Sequence, residues 1–379
     1  GQTVLIDTDR IMAVGSDLEI PDNFEMIDGT GKSLIPGLVM LHEHMFYTRP
    51  QFEGRFDVAQ MPFTFPRLYL AGGVTTMRTG GSIQPQSDLN VKKWIDEGEM
   101  TGPKIDVTSP HLTREGLTIA SLGVIKDSEQ MGEAVKYWAD QGVTSFKVYT
   151  MITREDLKVC VQEAHQRGFK VTGHLCSVSY REASDIGIDN LEHGFMASSD
   201  FEKNRTPDQC NYFNARDGLI NEALNGDRIN SLIDHLIKNE TAITTTPNVF
   251  EPYTGREIVP GGGFDALTTD YQNAVKTRYD SRVNNDSVSA ALFHKNMQWL
   301  KRFYEKGGHL VAGTDPTGAG RTVAGYANQR TLEILVEEGF GLEDAVKICT
   351  QEGAKFLRRE SDIGTIEVGK LADLILIDG

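Results

Sequence analysis

The sequence predicts an α/β protein: a (β/α)8 barrel of the TIM type, with a small β-sandwich domain made from the N- and C-terminal segments. Three observations predict it. Eight short apolar runs alternate with helical patterns across residues 36–362, which are expected to form the barrel. The two chain ends, residues 1–35 and 363–379, alternate and turn like small sheets instead. Side chains of metal-ligand type recur at the C-terminal ends of the apolar runs, the rim where such a barrel builds its active site.

At the N-terminus, "TVLIDTDRIMAVGSDLEI" reads as two short strands joined at a turn, and "IGTIEVGKLADLILIDG" at the other end follows the same habit. Chain termini commonly lie close together, so both stretches are assigned to one small domain. The barrel strands are then expected at residues 38–41, 74–77, 105–108, 145–149, 169–172, 190–192, 242–245 and 310–312. Helices are expected between them, for example over 128–140, 154–167, 180–185 and 228–238, each apolar along one face. Gly142, Gly168 and Gly187 stand just past helix ends, where glycine stops a helix. Two connections, 193–241 and 246–310, run far beyond one helix and are expected to form lids or pocket walls.

Composition bounds the partners. Hydrophobic residues make up 39% and charged residues 24%, the balance of an ordinary globular chain. A formal charge of −16 opposes binding to nucleic acid or to an anionic membrane surface, and no apolar stretch reaches membrane-spanning length. A small-molecule substrate is the expected partner, and a homo-oligomer is allowed. No signal peptide is visible, but the chain enters a strand-like run at once, so the compartment stays open between cytoplasm and export with a signal removed. Cys160, Cys176, Cys210 and Cys349 are scattered without paired spacing, which suggests neither a disulfide framework nor a thiolate zinc site. The glycines at 261–263 lack the Lys-Ser/Thr context of a phosphate loop.

The chemistry begins at "PGLVMLHEHMF". Strand side chains two apart share a face, so His42 and His44 can address one point, and one metal ion is the simplest reason. "SFKVYT" holds Lys147, "KVTGHLC" ends in His174, "NLEHGF" in His193 and "VAGTDP" in Asp315, all at the same rim. Alone, each has a plain alternative: a backbone-satisfied histidine pair, a solvated lysine, an aspartate capping a turn. Together they make a ligand set with room for a water. Lysine among metal ions would be repelled while charged, but a buried lysine can lose its proton and combine with carbon dioxide to give a carbamate. His165, His235, His294 and His309 fall away from the rim and are read as structural.

These motifs resemble those of the amidohydrolase superfamily across nearly the whole chain. "PGLVMLHEH" resembles its first-strand metal motif and "FKVY" its fourth-strand lysine. "GHLCSVSYREASDIGIDNLEHG" resembles its fifth and sixth strands, "AGTDP" its eighth-strand aspartate and "IGTIEVGKLADLILID" its closing stretch. Within the superfamily the set is most similar to the imidazolonepropionase-like hydrolases, a group that includes Xaa-Pro and Xaa-Arg dipeptidases. The resemblance implies two divalent ions of the zinc type. His42, His44 and Asp315 would bind one and His174 and His193 the other, with carboxylated Lys147 bridging. It also implies a metal-bridging hydroxide attacking the carbonyl, with Asp315 carrying the proton to the leaving nitrogen.

The implied reaction is hydrolysis of a carbon–nitrogen amide bond in a dipeptide or N-acyl amino acid. The alternatives are a cyclic amide, or a barrel that binds metal without catalysis; a deaminase would generally use one metal and no bridging lysine. Relatives of the dipeptidase kind carry tyrosine two residues after the fifth-strand histidine, where this chain has Cys176, read here as a packing residue. Tyr149 and His111 are the candidates to polarise the substrate carbonyl in its place, and Arg78, Arg256 and Arg321 are candidate grips for a substrate carboxylate.

Overall fold

A computed structural model describes residues 2–48, 58–117, 119, 122–256, 263–280, 287–317 and 322–378. Arg321 and Gly261–Gly262 lie outside the described residues. At the N-terminus β1 (Thr3–Asp7) and β2 (Arg10–Gly15) form an antiparallel ribbon, followed by β3 (Lys32–Pro36), β4 (Leu38–Glu43) and the small hairpin β5 (Phe46–Thr48) and β6 (Val58–Gln60). There follow β7 (Val74–Thr79), β8 (Lys104–Asp106), β9 (Thr108–Thr113), β10 (Gly123–Val124), β11 (Ser145–Val148) and β12 (Lys170–Gly173). Then come β13 (Asn190–Glu192), β14 (Ala242–Thr245), β15 (Leu310–Ala312) and β16 (Leu374–Asp378).

Parallel pairing builds a seven-stranded sheet in the order β10-β9-β11-β12-β13-β14-β15 and a three-stranded sheet β4-β7-β8. Backbone bonds tie the two together. Thr314 and Asp315, just past β15, donate to the His42 carbonyl at 3.2 and 2.9 Å, and Ser82 bridges to Pro110 beyond β7. Apart from the edge strands β8 and β10, these parallel strands are largely buried on both faces, as strands covered by helices must be, which is why Leu38, Val39, Met40 and Leu41 run apolar without alternation.

The third expected strand, 105–108, is in fact two. β8 pairs with β7, the chain breaks at Val107, and β9 pairs with β11. His111 therefore lies inside β9 and opposite Lys147 in the parallel register, instead of beyond the end of the expected strand. Proline at 110 obscured that strand, because it reads as an interruption; its missing N–H is accommodated beside the isolated bridge to Ser82.

Helix starts follow local chemistry. Thr153 and Asp156 close a capping box on the helix Arg154–His165, and Ser179 and Glu182 another on Tyr180–Ile186. In Asp227–Lys238, Ile229, Leu232, Ile233 and Leu236 make the buried stripe. The termini meet: β16 runs antiparallel to β3, and Ile11 exchanges backbone bonds with Lys370 and Gly369 at 2.9 and 2.8 Å.

One expectation is overturned. Cys176 and Cys210 form a disulfide, their Cα atoms 5.0 Å apart, so Cys176 is neither free nor merely packed. The pair lie 34 positions apart, and the insertion after β13 folds back over the end of β12 to bring them together, which no local spacing announces. Cys160 and Cys349 are free and buried.

Candidate metal centre

His42 and His44 leave β4 on one face, and each is held by its Nδ1. His42 Nδ1 lies 2.7 Å from Glu192 Oε2, and His44 Nδ1 lies 3.0 Å from the Gly81 carbonyl. Both rings thus turn Nε2 toward Asp315, whose Oδ1 is 3.7 Å from His42 Nε2 and 3.1 Å from His44 Nε2. Donor atoms of the three residues all fall within 4.8 Å of one another, a spacing that one divalent ion at about 2.0–2.2 Å from each can span. Oriented Nδ1 positions and a converging carboxylate are what such an ion requires, so the residues fit it.

Space is made by glycine. A Cβ on Gly313 would stand 2.4 Å from the His42 Cβ, and one on Gly81, at φ +120°, 2.5 Å from His111 Nε2. Asp315 and His193 hold positive φ of 53° and 71°, a left-handed backbone that non-glycine residues adopt at a penalty and that clusters at working sites.

His174 and His193 adjoin this trio through ring contacts. Ring centroids are 4.6 Å apart for His42 and His193 and 4.3 Å for His174 and His193, and His193 Nδ1 meets Thr246 Oγ1 at 2.8 Å. Burial, reinforced by the Lys147 charge, takes His42 down to about 4 and His174 to about 3, so both are neutral and able to ligate. Burial raises the Asp315 carboxyl, but the His44 hydrogen bond and the surrounding imidazoles outweigh it and hold the group well below its ordinary range.

Lys147 stands in β11 with its Nζ buried, 3.7 Å from Glu192 Oε1, and without a hydrogen-bond partner. Burial lowers the amine to about 8, against the pull of Glu192. Glu192 went unnoticed in the sequence, yet it organises the floor of the site: it accepts from His42, from Arg78 at 2.8 Å and from Thr172. Glu43 is another such residue, buried between the two histidines on the opposite face of β4 and raised by burial to about 8, with Thr314 and Asn328 donating to it. A carboxylate inside an apolar strand was the available signal for both.

Arg78 is not a substrate grip. Its guanidinium is fully buried beneath the histidines, bonded to Glu192 and the Leu41 carbonyl and stacked 5.2 Å from the Phe356 ring. Arg256 is engaged by Glu337 and Glu338. His111 and Tyr149 do reach the rim, with ring centroids 5.1 Å apart, His111 5.8 Å from His44 and Tyr149 5.0 Å from His174. Burial depresses the His111 imidazole and raises the Tyr149 hydroxyl to about 12, so both are neutral hydrogen-bond donors near pH 7. Above them opens a cavity of about 670 Å³. Tyr149, His174 and Cys176 line its base, and its walls come from the two long insertions, among them Cys210, Arg216, Phe250 and Phe293.

The Amidohydrolase family model matches residues 33–379. The chain belongs to the amidohydrolase family. It is 23% identical to the imidazolonepropionase of Geobacillus sp. (strain WCH70) over 393 residues, 99% of this chain and 83% of that protein. A dihydroorotase of Mycobacterium tuberculosis is 31% identical over 143 residues, 37% of this chain and 31% of that one. Among solved structures, a Xaa-Pro dipeptidase with bound methionine in its active site superposes with a TM-score of 0.70 at 20% identity, covering 99% of this chain and 88% of that one. The ochratoxinase of A. niger gives 0.65 at 16% identity, covering 100% and 85%. These likenesses show a shared fold. As an amidohydrolase the protein is a hydrolase of carbon–nitrogen bonds, in a family that generally uses metal ions. No described helix is long and apolar enough to cross a membrane.

Proposed function

We propose that the protein is a metal-dependent hydrolase that cleaves the amide bond of dipeptides or N-acyl amino acids. The observation that carries this reading is a buried lysine amine without a hydrogen-bond partner among four histidines and an aspartate, beside a cavity of drug-molecule size that His174 lines. In this reading His42, His44 and Asp315 would hold one zinc-type ion and His174 and His193 a second, with Lys147, carboxylated by carbon dioxide, as a ligand that both would share. The bonds that link β15 to β4 and β7 to β9 support a closed eight-stranded barrel over residues 36–362, and the paired termini support a separate small β-sandwich domain of residues 1–35 and 363–379.

When bound, the ions polarise the substrate carbonyl and acidify the attacking water. Asp315 accepts the proton that this water loses as its oxygen bonds to the carbonyl carbon. It returns that proton to the nitrogen as the carbon–nitrogen bond breaks, giving a carboxylic acid and an amine, and the acid's remaining proton passes to the amine to leave a carboxylate and an ammonium. His111 and Tyr149, both neutral, donate to the carbonyl oxygen as negative charge develops there. Similarity over 99% of the chain to an imidazolonepropionase favours a second reading, hydrolysis of a cyclic amide.

The test is metal analysis of the purified protein with a turnover screen of dipeptides, N-acyl amino acids and cyclic amides, zinc and bicarbonate supplied. About two ions per chain and release of amine from the linear amides are expected. Turnover of cyclic amides alone selects the second reading, and absence of bound metal under replete conditions overturns both.

A further inference from the structure

The wall of the cavity is chemically lopsided. Among the described residues Arg216 is its one permanently charged side chain, and no carboxylate lines it. The other polar groups are neutral hydroxyls such as Tyr149, Thr150, Ser198 and Ser289, and the remainder is apolar or aromatic, with Phe250, Phe293, Leu292 and Met196. A lone cation facing an apolar cavity stands out in a chain with a net charge of −16, whose described arginines mostly sit in ion pairs such as those of Arg114, Arg154 and Arg330. Arg216, on the helix Tyr212–Asn221, instead donates to Ser289 Oγ at 3.0 Å and meets no carboxylate among the described residues.

We propose that Arg216 binds the free carboxylate of the substrate, and that the apolar wall beside it takes a bulky hydrophobic or aromatic side chain. The substrate class is then N-acyl or aminoacyl derivatives of large apolar amino acids. This deepens the reading of the centre as an amide hydrolase and rests on it. A guanidinium presents a rigid fork of donors that matches a carboxylate's two oxygens, and Ser289 fixes one arm of that fork, so the group is oriented before the substrate arrives. His174 and Tyr149 line the base of the same cavity, so a substrate anchored at Arg216 can place its amide carbonyl against the metal ligands. The position of Arg216 is itself fastened. Cys210, six residues earlier, is bonded to Cys176, two residues past His174, which ties the Arg216 segment to the strand end that carries a metal ligand.

The test compares binding of N-benzoyl-L-phenylalanine with that of N-benzoylphenethylamine, which lacks only the carboxylate, to the zinc-loaded protein by calorimetry, with hydrolysis of each followed in parallel. The wild type should bind the acid on the order of tenfold more tightly. Arg216→Met should reduce that ratio to near one, and Arg216→Lys should leave it in between, because the charge stays while the fork is lost. An unchanged ratio in Arg216→Met, no preference in the wild type, or no binding of either compound overturns the proposal. Binding with the expected ratios but no cleavage leaves the grip standing and removes amide hydrolysis of this class. Cleavage with a ratio indifferent to residue 216 does the reverse.

Discussion

Lys147 Nζ and Glu192 Oε1 face each other across 3.7 Å of buried interior without making a hydrogen bond. A buried ammonium so poorly satisfied is expensive, and its lowered proton affinity, about 8, leaves a useful fraction of free amine at mildly alkaline pH. That is the chemical state in which lysine combines with carbon dioxide. Lys147→Ala should therefore lower bound metal and reduce kcat/KM by at least about 100-fold, with part of both regained when a short carboxylic acid is added. Metal content and rates with and without acetate check this, and unchanged metal content would remove Lys147 from the ligand set.

Glu192 holds His42, Arg78 and Thr172 together, so Glu192→Gln should do two separable things. It leaves the Arg78 charge buried and unpaired, a loss of about 3–5 kcal/mol in stability. It also weakens the orientation of His42, which should cost 10–100-fold in metal affinity, on the order of what such supporting carboxylates contribute. Thermal unfolding and zinc titration read the two effects. Retained metal affinity in a destabilised variant would make Glu192 a packing element alone.

Asp315→Asn keeps the side chain's shape and its backbone bond to His42 while removing the proton acceptor. Turnover should fall by about 10²–10⁴-fold with the fold intact. Near-normal rates at unchanged circular dichroism would move the base elsewhere.

The sequence marked the candidate ligands because each is an anomaly, a polar side chain closing an apolar run, and because strand period puts His42 and His44 on one face. It showed seven of eight strands within about two residues for the same reason. What it hid depends on tertiary contact. Glu192 looked like an ordinary acid beside His193, since its partners come from three other strands. Arg78 looked like a substrate grip because its position after an apolar run says nothing of depth. The Cys176–Cys210 bond was hidden because its closure depends on how a long insertion folds back, and Arg216 because no periodic pattern marks a residue that faces a cavity.

That disulfide has a consequence for function as well as stability. Closing a loop of this length restricts the unfolded chain, so the Cys176→Ser/Cys210→Ser double variant should be about 3–4 kcal/mol less stable. Released from the end of β12, the Arg216 helix should also bind substrate less well, so KM should rise several-fold more than kcat falls. Unfolding curves and steady-state rates on oxidised, reduced and doubly substituted protein check it, and equal KM in all three would limit the bond to stability.

Asp88 offers a test of electrostatics away from the candidate metal ligands. It sits buried in the first turn of the helix Pro85–Asp96, accepts from Gln60 Nε2 at 2.5 Å, and is raised by burial to about 7, against hydrogen bonds from Ser82 and Gln60 that pull the other way. An acid with a raised folded-state pKa binds its proton more tightly folded than unfolded. Below pH 4 both states are protonated and nothing is lost. Between pH 4 and 7 the unfolded chain gives up the proton first, so stability falls as pH rises, and the full penalty is present above 7. Asp88→Asn removes that penalty while keeping an acceptor for Gln60. The variant should match the wild type near pH 4 and exceed it by on the order of 4 kcal/mol at pH 8. Denaturant unfolding of both proteins at the two pH values isolates the difference, because every other titrating group is shared. A gap that does not widen between pH 4 and 8 would mean that Asp88 ionises in the folded protein as easily as in the unfolded one, and that the hydrogen bonds from Ser82 and Gln60 offset its burial in full.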